Sequence, residues 1–236
     1  MVTVTKCGCT FLQSLFLHIN EGGAQSGPML VHGPDASPLL RADEDEVEKI
    51  AASPYRFMVV RDPVDRFISL YFDKIANPER KKNFLFLRNV LKPLGMRFGR
   101  KPGLEAHRAN MLILIDWFEL NIAGKTDRPV NFHWRPQMRK YNRVKKLDPV
   151  LIPLECLNEA LPALLEPVIP DIREKMEAVK SRNPSPKPYS HAELRTEALV
   201  KRIREVYHKD AALVEKARET WKERLSEIRS GASDLP

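Results

Sequence analysis

The chain has 236 residues, a formal net charge of +8 at pH 7 and an isoelectric point near 9.4, which gives room for one domain with a substantial core and an affinity for anionic ligands, polyanions or membrane surfaces. Three cysteines, Cys7, Cys9 and Cys156, are too few for a disulfide framework, and the pair in Cys7-Gly8-Cys9 is too few for a structural zinc site. No apolar run approaches the ~20 residues of a membrane span and no signal-type leader opens the chain, so the expectation is a soluble cytoplasmic protein.

Val2-Thr3-Val4-Thr5 is β-branched throughout and predicts a strand. Lys6-Cys7-Gly8-Cys9-Thr10 then makes a tight turn, and residues 11–17 an apolar helix. A lysine and a threonine around a glycine, placed where a helix begins, suit a small phosphate-cradling loop: backbone N–H groups meet the anion and Lys6 adds a mobile charge. It is not a Walker loop, since Gly-x-x-x-x-Gly-Lys-Ser/Thr is absent. The same residues also suit a plain β-turn with an exposed lysine and two half-buried thiols. Residues 21–38, rich in Gly, Pro and Ser, read as a loop that carries His32, and 43–52 as a short acidic helix running up to Pro54.

Phe57-Met58-Val59-Val60 is a continuous apolar run of the kind buried on both faces of a sheet. The chain turns on Arg61-Asp62-Pro63 and restarts as a helix over 65–75, with Pro63 in the first turn and Asp65 able to accept hydrogen bonds from the backbone donors there. Arg66 and Ser69 lie three apart on one face, and together with Arg61 they suit a phosphate. An exposed Arg/Asp turn held by local ion pairs is the competing reading. Further helices fall at 83–91 and 104–121. Between them the 80–100 region carries many cations and no acid, with Phe84, Phe86 and Phe98 among them; it reads as a nucleic-acid surface or, in better keeping with the neighbouring leucines, as a basic rim beside an anionic substrate.

Residues 130–137 crowd His133, Trp134, Arg135 and Gln137 around a proline, a set that binds a polar ligand by stacking and hydrogen bonds or, alternatively, packs the tryptophan on the core. A second buried strand is expected over 150–155, with Glu155 leaving it where open α/β sheets hold ligands. Helices at 157–165 and 172–179, a polar loop at 181–188 and a helical stretch from His191 to about Ile228, broken near His208 to Asp210, complete the chain. With no internal repeat and no interdomain linker it reads as a single domain over 1–236 whose C-terminal part, from about 191, is helical.

Lys6-Cys7-Gly8-Cys9-Thr10 after the first strand, and Val60-Arg61-Asp62-Pro63-x-x-Arg66-x-x-Ser69-x-Tyr71 after a later one, resemble the two nucleotide-binding signatures of sulfotransferases. His32 between them, Phe132-His133-Trp134-Arg135-Pro136-Gln137 downstream and a strand ending in Glu155 make the chain most similar to carbohydrate sulfotransferases of the chondroitin and dermatan type. The resemblance runs from residue 2 to about 165, with a looser echo in Asn183 and Tyr207-x-x-Asp210. It implies an α/β fold of three layers, a central parallel sheet flanked by helices as in P-loop nucleotide kinases, and 3′-phosphoadenosine 5′-phosphosulfate (PAPS) as donor. Carried over, Lys6, Cys7, Gly8, Cys9 and Thr10 hold the 5′-phosphosulfate, and Arg61 and Ser69 hold the 3′-phosphate that separates this donor from ATP. Two departures stand out. Thr5 replaces a proline frequent in the family, and a cysteine-rich segment after His-Trp-x-Pro is replaced by residues 138–142, which fits a disulfide-free cytoplasmic relative.

The resemblance also implies a chemistry. Sulfuryl transfer, like phosphoryl transfer, proceeds in line while charge grows on the leaving phosphate oxygen, and Lys6 is placed to stabilise it. The acceptor hydroxyl loses its proton to a histidine: His32 first, with His133 second and suited to orienting acceptor or donor, and Glu155 as an accessory. No metal is needed, because lysine and arginine supply the charge that magnesium supplies in kinases. The expected function is therefore a sulfotransferase acting on a hydroxyl of a carbohydrate or related acceptor, with no nucleic-acid partner and no membrane span. A nucleotide phosphotransferase is the second enzyme reading, disfavoured by the missing Walker loop; a non-catalytic binder of nucleic acid or polyanion through the 80–100 region is the reading from another class.

Overall fold

Four consecutive apolar residues demand cover on both faces of a strand, and in this computed structural model Phe57, Met58, Val59 and Val60 are each at most 1% exposed. Residues 1–20, 47–76, 89–97, 102–180 and 188–232 are described. In chain order the elements are α1 (Cys9–Asn20), α2 (Val47–Ala52), β1 (Phe57–Val60), α3 (Pro63–Leu70) running on into a π-helical turn (Tyr71–Ala76), α4 (Leu104–Ile122), α5 (Gln137–Val144), β2 (Val150–Pro153), α6 (Leu157–Leu165), α7 (Ile172–Lys180), α8 (His191–Leu194), α9 (Glu197–Val206) and α10 (His208–Ala232). The protein is thus a mostly helical α/β chain with a small parallel sheet. Its described residues fall into two compact units built from interleaved segments: one from Met1–Val60, Lys140–Pro184 and Val214–Pro236, the other from Arg61–Arg139 and Ser185–Leu213.

The first unit holds the sheet. β1 and β2 pair in parallel from Phe57↔Val150 to Val60↔Pro153, and β2 is buried along its whole length. The strand predicted at the amino terminus is reduced to an isolated parallel bridge between Val2 and Met58, with the Val2 N–H donating to the Phe57 carbonyl at 2.8 Å. The ladder stops there because the chain closes a turn at once: the Cys7 N–H donates to the Val4 carbonyl at 3.1 Å, and Lys6 takes a left-handed φ of 67°. The second strand ends at Pro153, and residues Leu154–Cys156 form a 3₁₀ turn, so Glu155 stands on the turn. Around the sheet, α1 packs on α7, and α6 on β2 and α7, with Phe16 stacked on Phe57 at a centroid distance of 6.2 Å. The Arg56 guanidinium donates to the carbonyls of Ala51, Ser53 and Leu147 and so ties together the approaches to both strands.

The second unit is helical. α3 and α4 pack on α8 and α9 around a core that includes Phe67, Leu114, Phe118, Trp134, Leu199 and Ile203. Its helix starts are written in the sequence. Asp62 caps α3 by accepting from the Val64 and Asp65 N–H groups at 2.9 and 3.1 Å, with Pro63 in the first turn. This corrects the expectation that Asp65 makes the cap. Ser190 and Glu193 form a capping box on α8, and Thr196 caps α9 through the Leu199 N–H. The break expected near residue 208 occurs at Tyr207, between α9 and α10. The expected helix at 83–91 and the basic 80–100 stretch lie largely outside the described residues, as do the loop 21–38 and most of the loop 181–188.

Gly8 has a φ of +73°, and a Cβ there would sit 3.0 Å from Leu154 Cδ1, whereas Gly124, at +72°, has nothing within 4 Å. Gly124→Ala is expected to lose ~1–2 kcal/mol from the left-handed backbone alone, and Gly8→Ala more, because Leu154 must also move. Urea denaturation of the two variants measures the difference; equal losses would show that the turn does not bear on Leu154.

Candidate functional site

The turn at residues 6–10 is shaped by its backbone. φ is positive at Lys6 (67°) and Gly8 (73°), and Cys7 between them is not left-handed. Such alternation curls consecutive N–H groups toward one side and makes a concavity for an anion. α1 starts immediately afterwards: the Leu12 N–H is donated to the Gly8 carbonyl at 3.0 Å, so the N–H groups of the first turn, those of Cys9 and Thr10 included, face out of the positive end of the helix. Cys7 is buried, its thiol directed to the Thr5 carbonyl at 3.8 Å, while Cys9 is half-buried. The turn lies on the residues that follow β2, since Leu154 and Leu157 are the neighbours a Gly8 side chain would meet. Because β1, β2 and the Val2 bridge are parallel, the turn, the peptide leaving Val60 and the 3₁₀ turn all depart from the carboxyl edge of the sheet, where open α/β sheets hold their ligands. Glu155 at that edge is paired with Arg218 at 2.7 Å. The neighbouring Cys156 thiol is pushed up by burial and by Glu155 and Glu159, which makes it a poor nucleophile.

In the second unit the signature that begins at Arg61 is fixed by side chains distant in sequence. The Gln137 amide, fully buried, pairs with both backbone groups of Arg61, accepting from its N–H at 3.0 Å and donating to its carbonyl at 2.8 Å. Gln137 opens α5, whose first N–H groups are taken by Asp210: the carboxylate accepts from Gln137 at 2.8 Å and Met138 at 2.9 Å. Burial pushes the Asp210 carboxyl up, opposed by Arg66 and by those two N–H groups. Arg66 is not at a surface phosphate position. It is 4% exposed, its Nη1 lies 3.8 Å from Asp210, and its Nη2 donates to the carbonyls of His133 and Arg135 at 3.2 and 2.9 Å. Tyr207 Oη donates to the carbonyl between them, that of Trp134, at 2.7 Å. Ser69, half-buried, lies one helical turn beyond Asp65 on α3. Asp65 itself meets His191 Nδ1 at 2.6 Å and Arg195 at 2.8 Å; burial pushes its carboxyl up, but these two hydrogen bonds outweigh burial and hold it well below the usual carboxylate range.

His133 stands on the turn so pinned. Asn131 Oδ1 accepts from its backbone N–H at 2.9 Å and meets its Nδ1 at 2.8 Å. An amide oxygen only accepts, so Nδ1 carries the proton in the neutral ring and Nε2 is the basic nitrogen. Trp134 is core: its ring stacks on Phe118 at 4.9 Å and its Nε1–H donates to Asn121 at 2.7 Å. A cavity of about 10 Å³ lined by Arg66, His133, Trp134 and Tyr207 is at the lower limit for one water and too small for a substrate. Tyr71, last residue of the signature, is also structural. Asn110 Nδ2 donates to its oxygen at 3.4 Å and its O–H goes to His107 Nδ1 at 2.8 Å; burial above all pushes the phenol up to about 12, against the hydrogen bond from Asn110.

The structure therefore gathers Lys6, Cys7, Gly8, Cys9 and Thr10 into one turn of the first unit, and places Arg61, Ser69 and His133 in the second. His32 and Asn183 lie outside the described residues. The roles that the sequence did not assign are those of Gln137 as a clamp on the Arg61 backbone, of Asp210 and Asn131 as acceptors, and of Asp62 as the cap; only Asp62, next to Pro63, carried a local signal. Among the described residues no group of His, Cys, Asp and Glu has the makings of a metal centre, and no helix is long and apolar enough to cross a membrane.

Asp65 gives this site a pH signature. Its folded-state pKa is depressed, so its contribution to stability is present above the unfolded value of ~3.9 and is lost as pH falls below that toward the folded value. Asp65→Asn is expected to be less stable than the parent at pH 6, with the gap closing as pH drops through the carboxylate range. Urea midpoints measured between pH 6 and pH 3 test this, and a gap independent of pH would rule out a charged Asp65 as its source.

A family model described as "Sulfotransferase family" matches residues 1–214. The chain therefore belongs to the sulfotransferase family, and is a transferase by that membership. No curated protein and no solved structure matches it.

Proposed function

We propose that this member of the sulfotransferase family moves the sulfuryl group of PAPS to a hydroxyl of a carbohydrate or related acceptor, as chondroitin- and dermatan-type enzymes do, on a three-layer, P-loop-like scaffold and without a metal. The observation that carries the reading is the alternation of φ at residues 6–8 directly before α1, the backbone form that phosphate-cradling loops share. Lys6 and the N–H groups of Gly8, Cys9 and Thr10 take the 5′-phosphosulfate, with the Thr10 hydroxyl beside them and Cys7, whose N–H is held by the Val4 carbonyl, completing the turn. Arg61 and Ser69 take the 3′-phosphate; the Gln137 clamp on the Arg61 backbone supports a fixed origin for that guanidinium.

In the reaction the acceptor oxygen attacks sulfur in line, a new S–O bond forms as the bond from sulfur to the phosphate oxygen breaks, and 3′-phosphoadenosine 5′-phosphate leaves with the electron pair. Lys6 stabilises the charge on that oxygen. The acceptor proton goes to a histidine. The resemblance favours His32; His133, whose Nε2 is the basic nitrogen by virtue of Asn131, orients the acceptor or stands in as base. Glu155, being paired with Arg218, is left with an electrostatic role. The three free thiols support a reducing compartment, and hence a cytoplasmic setting.

Lys6→Ala is expected to lower sulfuryl transfer from labelled PAPS by ~10²–10³-fold, in line with the removal of one group that stabilises developing charge, while the urea midpoint stays within experimental error. Full transfer by that variant would contradict the mechanism.

A further inference from the structure

We infer that the exposed basic face formed by Lys140, Arg143, Lys145 and Lys146 docks the protein on the anionic surface of a lipid bilayer, as a peripheral electrostatic contact without insertion. The inference stands apart from sulfuryl transfer and from the nucleotide. Between Asp127 and Asp148 the chain carries seven cations and no acid. Four of the seven, Lys140, Arg143, Lys145 and Lys146, belong to the first unit and are exposed on the second half of α5 and the 3₁₀ turn Lys145–Leu147.

The helix pattern puts them there. Gln137, Tyr141 and Val144, spaced four and three apart, are buried or half-buried, which leaves Lys140 and Arg143 on the opposite face. None of the four cations has a carboxylate partner among the described residues. The arginines of α10 in the same unit differ: Arg218 pairs with Glu155 and Glu215, and Arg224 with Asp148 and Glu227. Asp148, the first acid after the basic run, is thus already engaged. Like charges set so close repel one another, and an anionic counter-surface relieves that repulsion.

The face is separate from the anion turn. Arg56, directly before β1, donates to the carbonyl of Leu147, just ahead of β2, so Lys145 and Lys146 stand at the amino edge of the two parallel strands. The turn at residues 6–10 departs from the carboxyl edge, roughly 13 Å away along four residues of strand. The occupant follows from the chemistry of the face. Long exposed side chains with no partner to fix them do not preorganise a pocket for a single anion; they sum their charge toward a broad negative surface, as clusters of about four to eight Lys and Arg on amphipathic helices do, at ~5-fold in affinity per cation. Tyr141, the aromatic of α5, lies on the inward stripe, so the face offers no ring on which bases could stack. It carries no large exposed apolar side chain, and no helix among the described residues is long and apolar enough to cross a membrane, so the contact is adsorption at the headgroups.

Cosedimentation of the intact chain with vesicles tests this, using phosphatidylcholine alone and equal parts of phosphatidylcholine and phosphatidylserine, at ~0.01 and ~0.15 M salt. The parent is expected to sediment with the phosphatidylserine vesicles, more weakly at the higher salt, and to stay in solution with phosphatidylcholine alone. Replacing the four cations together, Lys140→Gln, Arg143→Gln, Lys145→Gln and Lys146→Gln, should weaken binding at least ~100-fold. A variant of the same net charge, Lys125→Gln, Lys201→Gln, Lys209→Gln and Lys216→Gln, should bind within a few-fold of the parent. Both are expected to keep the parent's urea midpoint, since all eight side chains are exposed. Absence of binding by the parent, or equal losses in the two variants, would overturn the inference, as would tighter binding of a short duplex DNA than of the vesicles at the higher salt. A loss of 3′-phosphoadenosine 5′-phosphate binding confined to the first variant would overturn it too, by placing the face in the nucleotide site.

Discussion

A buried carboxylate governs the geometry of the second unit. Asp210, fully buried, accepts from the first two N–H groups of α5 and faces Arg66; through Gln137 its position reaches the backbone of Arg61, and through Arg66 it reaches the turn bearing His133. A buried pair of this kind is weak evidence of net stability, since desolvation offsets much of the attraction. Removing one member, however, leaves an uncompensated charge at about 3–5 kcal/mol. It ties together two stretches more than 70 residues apart in sequence.

That constraint separates the two arginines of the signature. Arg66 looks inward and serves the protein's own carbonyls, and Tyr71 is likewise committed to a buried network with His107 and Asn110. Arg61 is held by its main chain, which leaves its position set independently of its side chain. A similar arrangement recurs at Arg97, whose N–H and carbonyl both pair with the Asn110 amide at 2.8 Å. A side-chain amide matched to a backbone amide satisfies a donor and an acceptor at once, in the way a neighbouring strand would.

Much of the fold was legible because local signals agreed with the tertiary outcome. The unbroken apolar run at 57–60 reads as a buried strand and is one, the strand expected over 150–155 spans 150–153, and the predicted helix at 157–165 is α6 residue for residue. The amino-terminal strand was over-read, because its β-branched residues say nothing of the left-handed turn at Lys6 that ends the pairing. Asp62 and Asp65 both lie within two residues of Pro63; the first, directly before the proline, caps the helix, while the second pairs with His191 and Arg195. Of the competing readings of residues 130–137 the packed tryptophan is the one observed: Trp134 is core, while Phe132 is exposed and His133 half-buried beside it. Gln137 and Asp210 were visible as letters, yet their work depends on contacts across 72 to 76 residues, which no local pattern carries.

We propose that the nucleotide taken by this chain is distinguished by its 3′-phosphate. Isothermal titration of the intact chain with 3′-phosphoadenosine 5′-phosphate and with ADP tests it most directly. The account predicts at least ~10-fold tighter binding of the 3′-phosphorylated nucleotide, a preference of about 1.4 kcal/mol that Arg61→Ala abolishes. Equal affinities, or binding of any polyanion with a steep salt dependence and no nucleotide preference, would contradict it.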